Sequence, residues 1–123
     1  MTVKLNDYQQ QKEDVSLVVG LLVTLPEEGP LRQLMARLLD GAADSCARMR
    51  AIRGIAIWLN YGVTTPENGY HFLVKSQTSD HQYKVILGGG QKTCECGDFV
   101  DNGHCCKHLV AVWMAQHGRA LVF

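Results

Sequence analysis

Four of the chain's five cysteines fall between Cys94 and Cys106, and His108 follows two positions after the last of them. No other feature constrains the fold as strongly. The core of the pattern is Cys94-Glu95-Cys96, nine intervening residues, then Cys106-Lys107-His108. A tetrahedral zinc ion takes four such ligands, with Cys sulfur at about 2.3 Å and His nitrogen at about 2.0 Å. A C-x-C pair in a tight turn can aim two thiolates at one ion, and a C-x-H pair at the start of a helix can supply the other two. Leu109, Val112 and Trp113, spaced i, i+3, i+4, place that helix directly behind the second pair. Gly97 and Gly103 allow the intervening loop to fold back over the metal. Ligand type, count and closure are those of a Cys₃His structural site. His104 and Cys105 sit beside the proposed ligands, and either could substitute for one of them.

The surrounding text limits the alternatives. A catalytic zinc keeps one coordination position open. Here four protein ligands fill the shell, and only Glu95 and Asp98 stand near enough to act as a general base. A dithiol redox site usually announces itself as C-x-x-C beside a βαβ pattern, which is absent. Gly88-Gly89-Gly90 lacks the G-x-x-x-x-G-K-[ST] spacing of a phosphate loop and reads as a flexible crossing toward the cysteines. The expectation is a chain that is not an enzyme and carries one structural zinc.

The rest of the sequence supplies a core around this cluster. At 123 residues, 46% apolar and 20% charged, the chain has the length and composition of one globular domain. Asn6 or Asp7 can cap a first helix running to about Leu25, ended by Pro26. Leu31, Leu34, Met35, Leu38 and Leu39 form the apolar stripe of a second helix, closed by Gly41. Asp44 or Ser45 starts a third, to about Asn60, whose buried face reads Cys46, Met49, Ile52, Ile55, Ala56 and Leu59. Pro66-Glu67-Asn68-Gly69 is a turn signal. Two alternating runs follow, around Phe72 and Val74 and around Tyr83, Val85 and Leu87, as the strands of a β-hairpin. The predicted fold is α+β: a helical part over residues 1–62, then a β-hairpin and a ββα zinc module over residues 63–123, together one compact unit. Cys46 is expected to be a core thiol. His71, His81 and His117 are expected to be surface or internally satisfied histidines.

The C-x-C-(nine residues)-C-x-H pattern resembles the SWIM zinc finger, a family found in chromatin-remodelling ATPases and Mutator-type transposases. Asp98-Phe99 after the C-x-C, and Cys106-Lys107-His108-Leu109 with Ala111-Val112, are similar to the family's common wording. Val74-Lys75-Ser76-Gln77 and Tyr83-Lys84-Val85 look like the strands preceding the motif in small prokaryotic members. Gly97 departs from the Pro that many members carry there, a change that removes no ligand. The resemblance spans about residues 70–117. It implies zinc held by Cys94, Cys96, Cys106 and His108, no catalytic activity, and an accessory role in recombination, transposition or repair. It further implies contact with DNA or with a partner protein of recombinase, transposase or nuclease type.

Charge gives that second implication little help. Lys plus Arg equals Asp plus Glu at 12 each, and the balance is seven against seven in residues 1–60 and five against five in residues 61–123. Neither half is a strong polyanion trap. Arg48, Arg50 and Arg53, in a run with no acid between Ser45 and Pro66, together with Lys107, are the candidate phosphate contacts. The competing reading is a solvated helix face, with Trp58, Trp113, Met114 and Leu121-Val122-Phe123 as anchors for a protein partner. The longest apolar run, from Val15 to Leu25, is too short to span a membrane and has neither the basic start nor the cleavage site of a signal peptide. Clustered cysteines without a secretory signal suggest a reducing compartment, cytoplasmic, or nuclear in a eukaryote.

Overall fold

The computed structural model describes residues 6–64, 71–103 and 106–118. Helix α1 spans Asp7–Thr24 and starts at a capping box: Asn6 accepts from the Gln9 amide at 2.8 Å, while the Gln9 side chain accepts from the Asn6 amide at 3.2 Å. Leu25 is extended, as a residue preceding proline must be, and the helix stops there. Helix α2, Pro30–Asp40, uses Pro30 in its first turn, where a missing N–H costs nothing. Helix α3, Ser45–Tyr61, is capped by Asp44, whose carboxylate accepts from the Ala47 amide, and closes on Gly62 at φ +70°.

Three antiparallel strands follow in the order β1 (His71–Lys75), β2 (Gln82–Gly88), β3 (Gln91–Cys94). Phe72 pairs with Val85 and Val74 with Tyr83, while Val85 also faces Cys94 on the other side. Phe72, Val74, Val85 and Cys94 are therefore buried on one sheet face. A short helix α4, Gly97–Asn102, and the long helix α5, Lys107–Gly118, complete the chain. No helix among the described residues is long and apolar enough to cross a membrane.

Two apolar clusters share α3 and α5. One joins Ile57 to Phe72, Val74, Val85, Leu109 and Val112 and takes in Cys94, Cys96 and Cys106. The other joins Val18, Leu34, Met35, Ile55, Ala56 and Met114. Trp58 touches both. The two long helices cross at Gly54, where an added Cβ would collide with the Val110 side chain and lie 2.6 Å from the Lys107 carbonyl oxygen. The crossing is that close because Gly54 has no side chain.

Several expectations need correction. Gly88, Gly89 and Gly90, at φ +134°, +59° and +80°, are not a loose crossing: Gly88 ends β2 paired with Gln91, and Gly89-Gly90 form the turn of a second hairpin that delivers a third strand ending at Cys94. The loop after Cys96 is helical. Cys46 is exposed, not buried, because it lies in the first turn of α3. Farther along, α3 is enclosed by α1, α2 and α5, so Arg53, Gly54 and Ile57 are buried as well as Ile55 and Ala56 of the apolar stripe, while Met49, Ile52 and Leu59 are half-buried. Among the proposed anchors, Met114 is fully buried and Trp58 and Trp113 are half-buried in the core. The 66–69 turn, His104, Cys105 and Leu121-Val122-Phe123 lie outside the described residues.

The glycines separate two opposed effects. Helix propensity favours Ala over Gly by about 1 kcal/mol. At Gly20 a Cβ meets nothing within 4 Å, so Gly20→Ala should stabilise by up to about that amount. At Gly54 overpacking, typically about 1–3 kcal/mol, outweighs the propensity gain, so Gly54→Ala should destabilise. Urea denaturation of both variants checks the opposite signs.

Candidate metal centre

Each ligand of the cluster is delivered by a different local device. Cys94 is the last residue of β3, fixed by its pairing with Val85. Cys96 is the N-cap of α4, so the chain leaves the turn between the two thiols in an extended conformation and then coils away. Gly103, in the left-handed region at φ +67°, ends α4 and turns the chain back. Cys106 immediately precedes α5, and His108 lies in its first turn. One ligand atom from each residue falls within 4.8 Å of all the others, and all four residues are buried.

The spacing suits one ion. Nδ1 of His108 lies 3.8 Å from the Cys94 sulfur and 4.0 Å from the Cys106 sulfur. Ligands bound at zinc's usual bond lengths sit roughly 3.5–3.8 Å apart along the edges of a tetrahedron. The Cys96 amide donates to the Cys94 sulfur at 3.5 Å, a donor aimed at developing thiolate charge. Nε2 of His108 is buried with no hydrogen-bond partner among the described residues, and the Tyr83 ring covers the imidazole at 4.5 Å between centroids. Three thiols and an imidazole buried together without disulfides match the requirements of a zinc site and of nothing else the core needs.

Residues 83–115 match the SWIM zinc finger family. The chain carries a SWIM-type zinc finger. No curated protein and no solved structure shows a significant match. The matched segment contains β2 from Tyr83 on, β3, α4 and α5 as far as Ala115, and the finger holds one structural zinc through Cys94, Cys96, Cys106 and His108. With four protein ligands, the bound ion has no position left for substrate, so what it supplies is cross-linking of the β3 end to the α5 start.

Neighbouring groups brace the finger. The Glu95 carboxylate accepts from the Lys84 amide at 2.6 Å, tying the C-x-C turn to β2. Asp98 takes a two-pronged hydrogen bond from Arg50, at 2.9 and 3.3 Å, which ties α4 to α3 and raises the Arg50 pKa. Glu95 and Asp98 are thus both engaged in holding the turn.

The candidate phosphate contacts separate. Arg48 is exposed. Arg50 is paired with Asp98. Arg53 is buried at 8% exposure and donates to Asp14, Asp7 and Gln77 at 3.2, 2.9 and 3.1 Å. Lys107, half-buried, donates to Gln77 at 3.0 Å. Asp14 is fully buried and also accepts from Gln10 and twice from Gln77. This network joins α1, α3, the β1–β2 turn and the start of α5, and the candidate reading of Arg53 as a phosphate contact gives way to a structural one. Burial of its guanidinium is the physical reason. The sequence held a faint signal. Gln10 and Asp14 stand four residues apart and four before Val18, on the same face as the core residues of α1.

Around the finger lies a cavity of about 450 Å³ whose walls include Met49, Arg50, Ser76, Tyr83 and Lys107. Charges of both signs line it, with Asp7 and Asp98 answering Arg53 and Arg50.

Without metal the three thiols share charge unequally. The hydrogen bond from Cys94 pulls the Cys106 thiol down to about 4, and the same bond pushes Cys94 up; burial pushes Cys96 up. Two of the three must therefore lose a proton when zinc binds near neutral pH, so affinity should fall as pH falls. Calorimetry in buffers of differing ionisation enthalpy should find about two protons released per zinc at pH 7. Native mass spectrometry should find one zinc per chain, and Cys106→Ser should lose both the metal and the protection of α5. In the network, Asp14→Ala takes the buried carboxylate from Arg53, leaving it Asp7 and Gln77, and should destabilise by up to about 3 kcal/mol in urea denaturation, with zinc retained.

Proposed function

We propose that this protein is a non-enzymatic accessory factor in DNA transactions of the recombination, transposition or repair kind. It works by docking onto a partner protein of the recombinase, transposase or nuclease class, with its zinc finger as the rigid part of the docking unit. The observation that carries this reading is the closed Cys₃His shell within the matched finger: four protein ligands leave no site for chemistry on the metal. The partner is favoured over DNA as the principal contact because Arg50 and Arg53 are already spent on Asp98, Asp7 and Asp14. Sequence-independent DNA affinity comes from neutralised phosphates, and Arg48 offers one exposed guanidinium in this region.

Two measurements test the proposal. Removal of the gene from its host should lower recombination, transposition or repair frequency, and Cys106→Ser should reproduce the loss. Unchanged frequencies in all three assays would overturn it. Titration of labelled single- and double-stranded DNA should give weak binding with a shallow dependence on salt, barely altered by Arg48→Ala. A steep salt dependence that Arg48→Ala flattens would make DNA the principal contact.

A further inference from the structure

The metal joins two pairs of ligands that reach it by different routes. Cys94 and Cys96 come from the sheet side, at the end of β3 and the start of α4. Cys106 and His108 come from the helix side, just before α5 and within its first turn. Lys107 stands between the second pair, and its ammonium donates to Oε1 of Gln77 at 3.0 Å. Gln77 lies in the β1–β2 turn, outside the matched residues 83–115.

The Gln77 amide is 8% exposed and engaged on both sides. Its nitrogen donates to the two Asp14 carboxylate oxygens at 3.0 and 2.8 Å. Its oxygen accepts from Arg53 at 3.1 Å as well as from Lys107. One orientation of the amide alone serves, because nitrogen must face the carboxylate and oxygen the two cations. The turn that carries it is closed by its own bonds. The Ser76 amide donates to the His81 carbonyl at 2.8 Å, and the Thr78 amide to the Ser76 hydroxyl at 3.2 Å. Lys107 is therefore tethered to a fixed point on the sheet side.

We propose that Gln77 is a positioning residue for the zinc centre: through Lys107 it holds the start of α5 where Cys106 and His108 meet the metal. Position gives this bond its bearing on the ion. Lys107 has a ligand on each side in sequence, so a shift of its backbone moves both. Lys107 also places a positive charge near a centre whose zinc and three thiolates carry one net negative charge. That second effect belongs to the ammonium alone and survives the loss of Gln77, so the two contributions separate by experiment. The proposal does not depend on which process the protein serves.

Zinc affinity of the full chain, measured by competition with a chromophoric chelator, tests it. Gln77→Ala should weaken zinc binding about tenfold, the low end of the usual loss when a group that orients metal ligands is removed. Lys107→Met should weaken it at least as much. The double variant should be no weaker than Lys107→Met alone, since the two side chains act through one bond. Gln10→Ala is the control. Gln10 donates to Asp14 at 3.0 Å, so its loss takes a hydrogen bond from the same network at a point that does not contact Lys107. It should lower stability to urea and leave zinc affinity unchanged. Unchanged affinity in Gln77→Ala overturns the proposal. So does an equal loss in Gln10→Ala, which would make zinc affinity a reading of overall stability. Losses that multiply in the double variant would leave Lys107 acting by charge alone, and overturn the tether.

Discussion

Four ligand side chains are buried in one apolar core, and the rest of the finger depends on what they hold. Cys94, Cys96 and Cys106 are at most 5% exposed and His108 is 3% exposed. Burying an imidazole nitrogen without a partner is costly, and burying thiolate charge costs more. Zinc reverses the sign for the three thiolates and for Nδ1 of His108, because each of these becomes a ligand. In small zinc modules metal binding is worth about 10–16 kcal/mol, comparable with the net stability of a whole domain. Strand β3 is four residues long and α4 six, too short to persist without an anchor at each end.

The finger does not stand apart from the helices before it. Helix α5 begins at the metal and runs across α3 at Gly54, so the ligand geometry and the helical packing share one element. Beside that crossing, Arg53 reaches from α3 to Asp14 and Asp7 of α1 and to Gln77 of the β1–β2 turn, and Lys107 reaches Gln77 from the finger. Such a buried network carries a large cost if any member is removed, which makes it a device for specifying one arrangement of the parts.

Much of this was legible in the residue pattern. The ligand set, the three opening helices and their caps, and the strands around Phe72 and Val85 all follow from local chemistry: ligand spacing, capping side chains and hydrophobic period. Effects set by distant residues were not legible. Gly88 to Gly90 read as a flexible link because nothing local shows that Lys92 and Cys94 will find partners in β2. Cys46 fitted an apolar stripe, but whether a stripe position is covered depends on where α5 begins, and Cys46 in the first turn of α3 precedes that cover. Arg53 resembled its neighbours Arg48 and Arg50 in sequence. Only the meeting of α1 with α3 separates a buried structural guanidinium from a solvated one.

Zinc organises the finger and, through α5, steadies the helix that α5 crosses. Hydrogen exchange of the zinc-loaded chain, before and after metal removal by a chelator, tests this most directly. Zinc removal should abolish protection over β3, α4 and the first turns of α5, and lower it in α3 around Gly54. A chain that native mass spectrometry finds metal-free as purified, with the same protection before and after chelation, would contradict it.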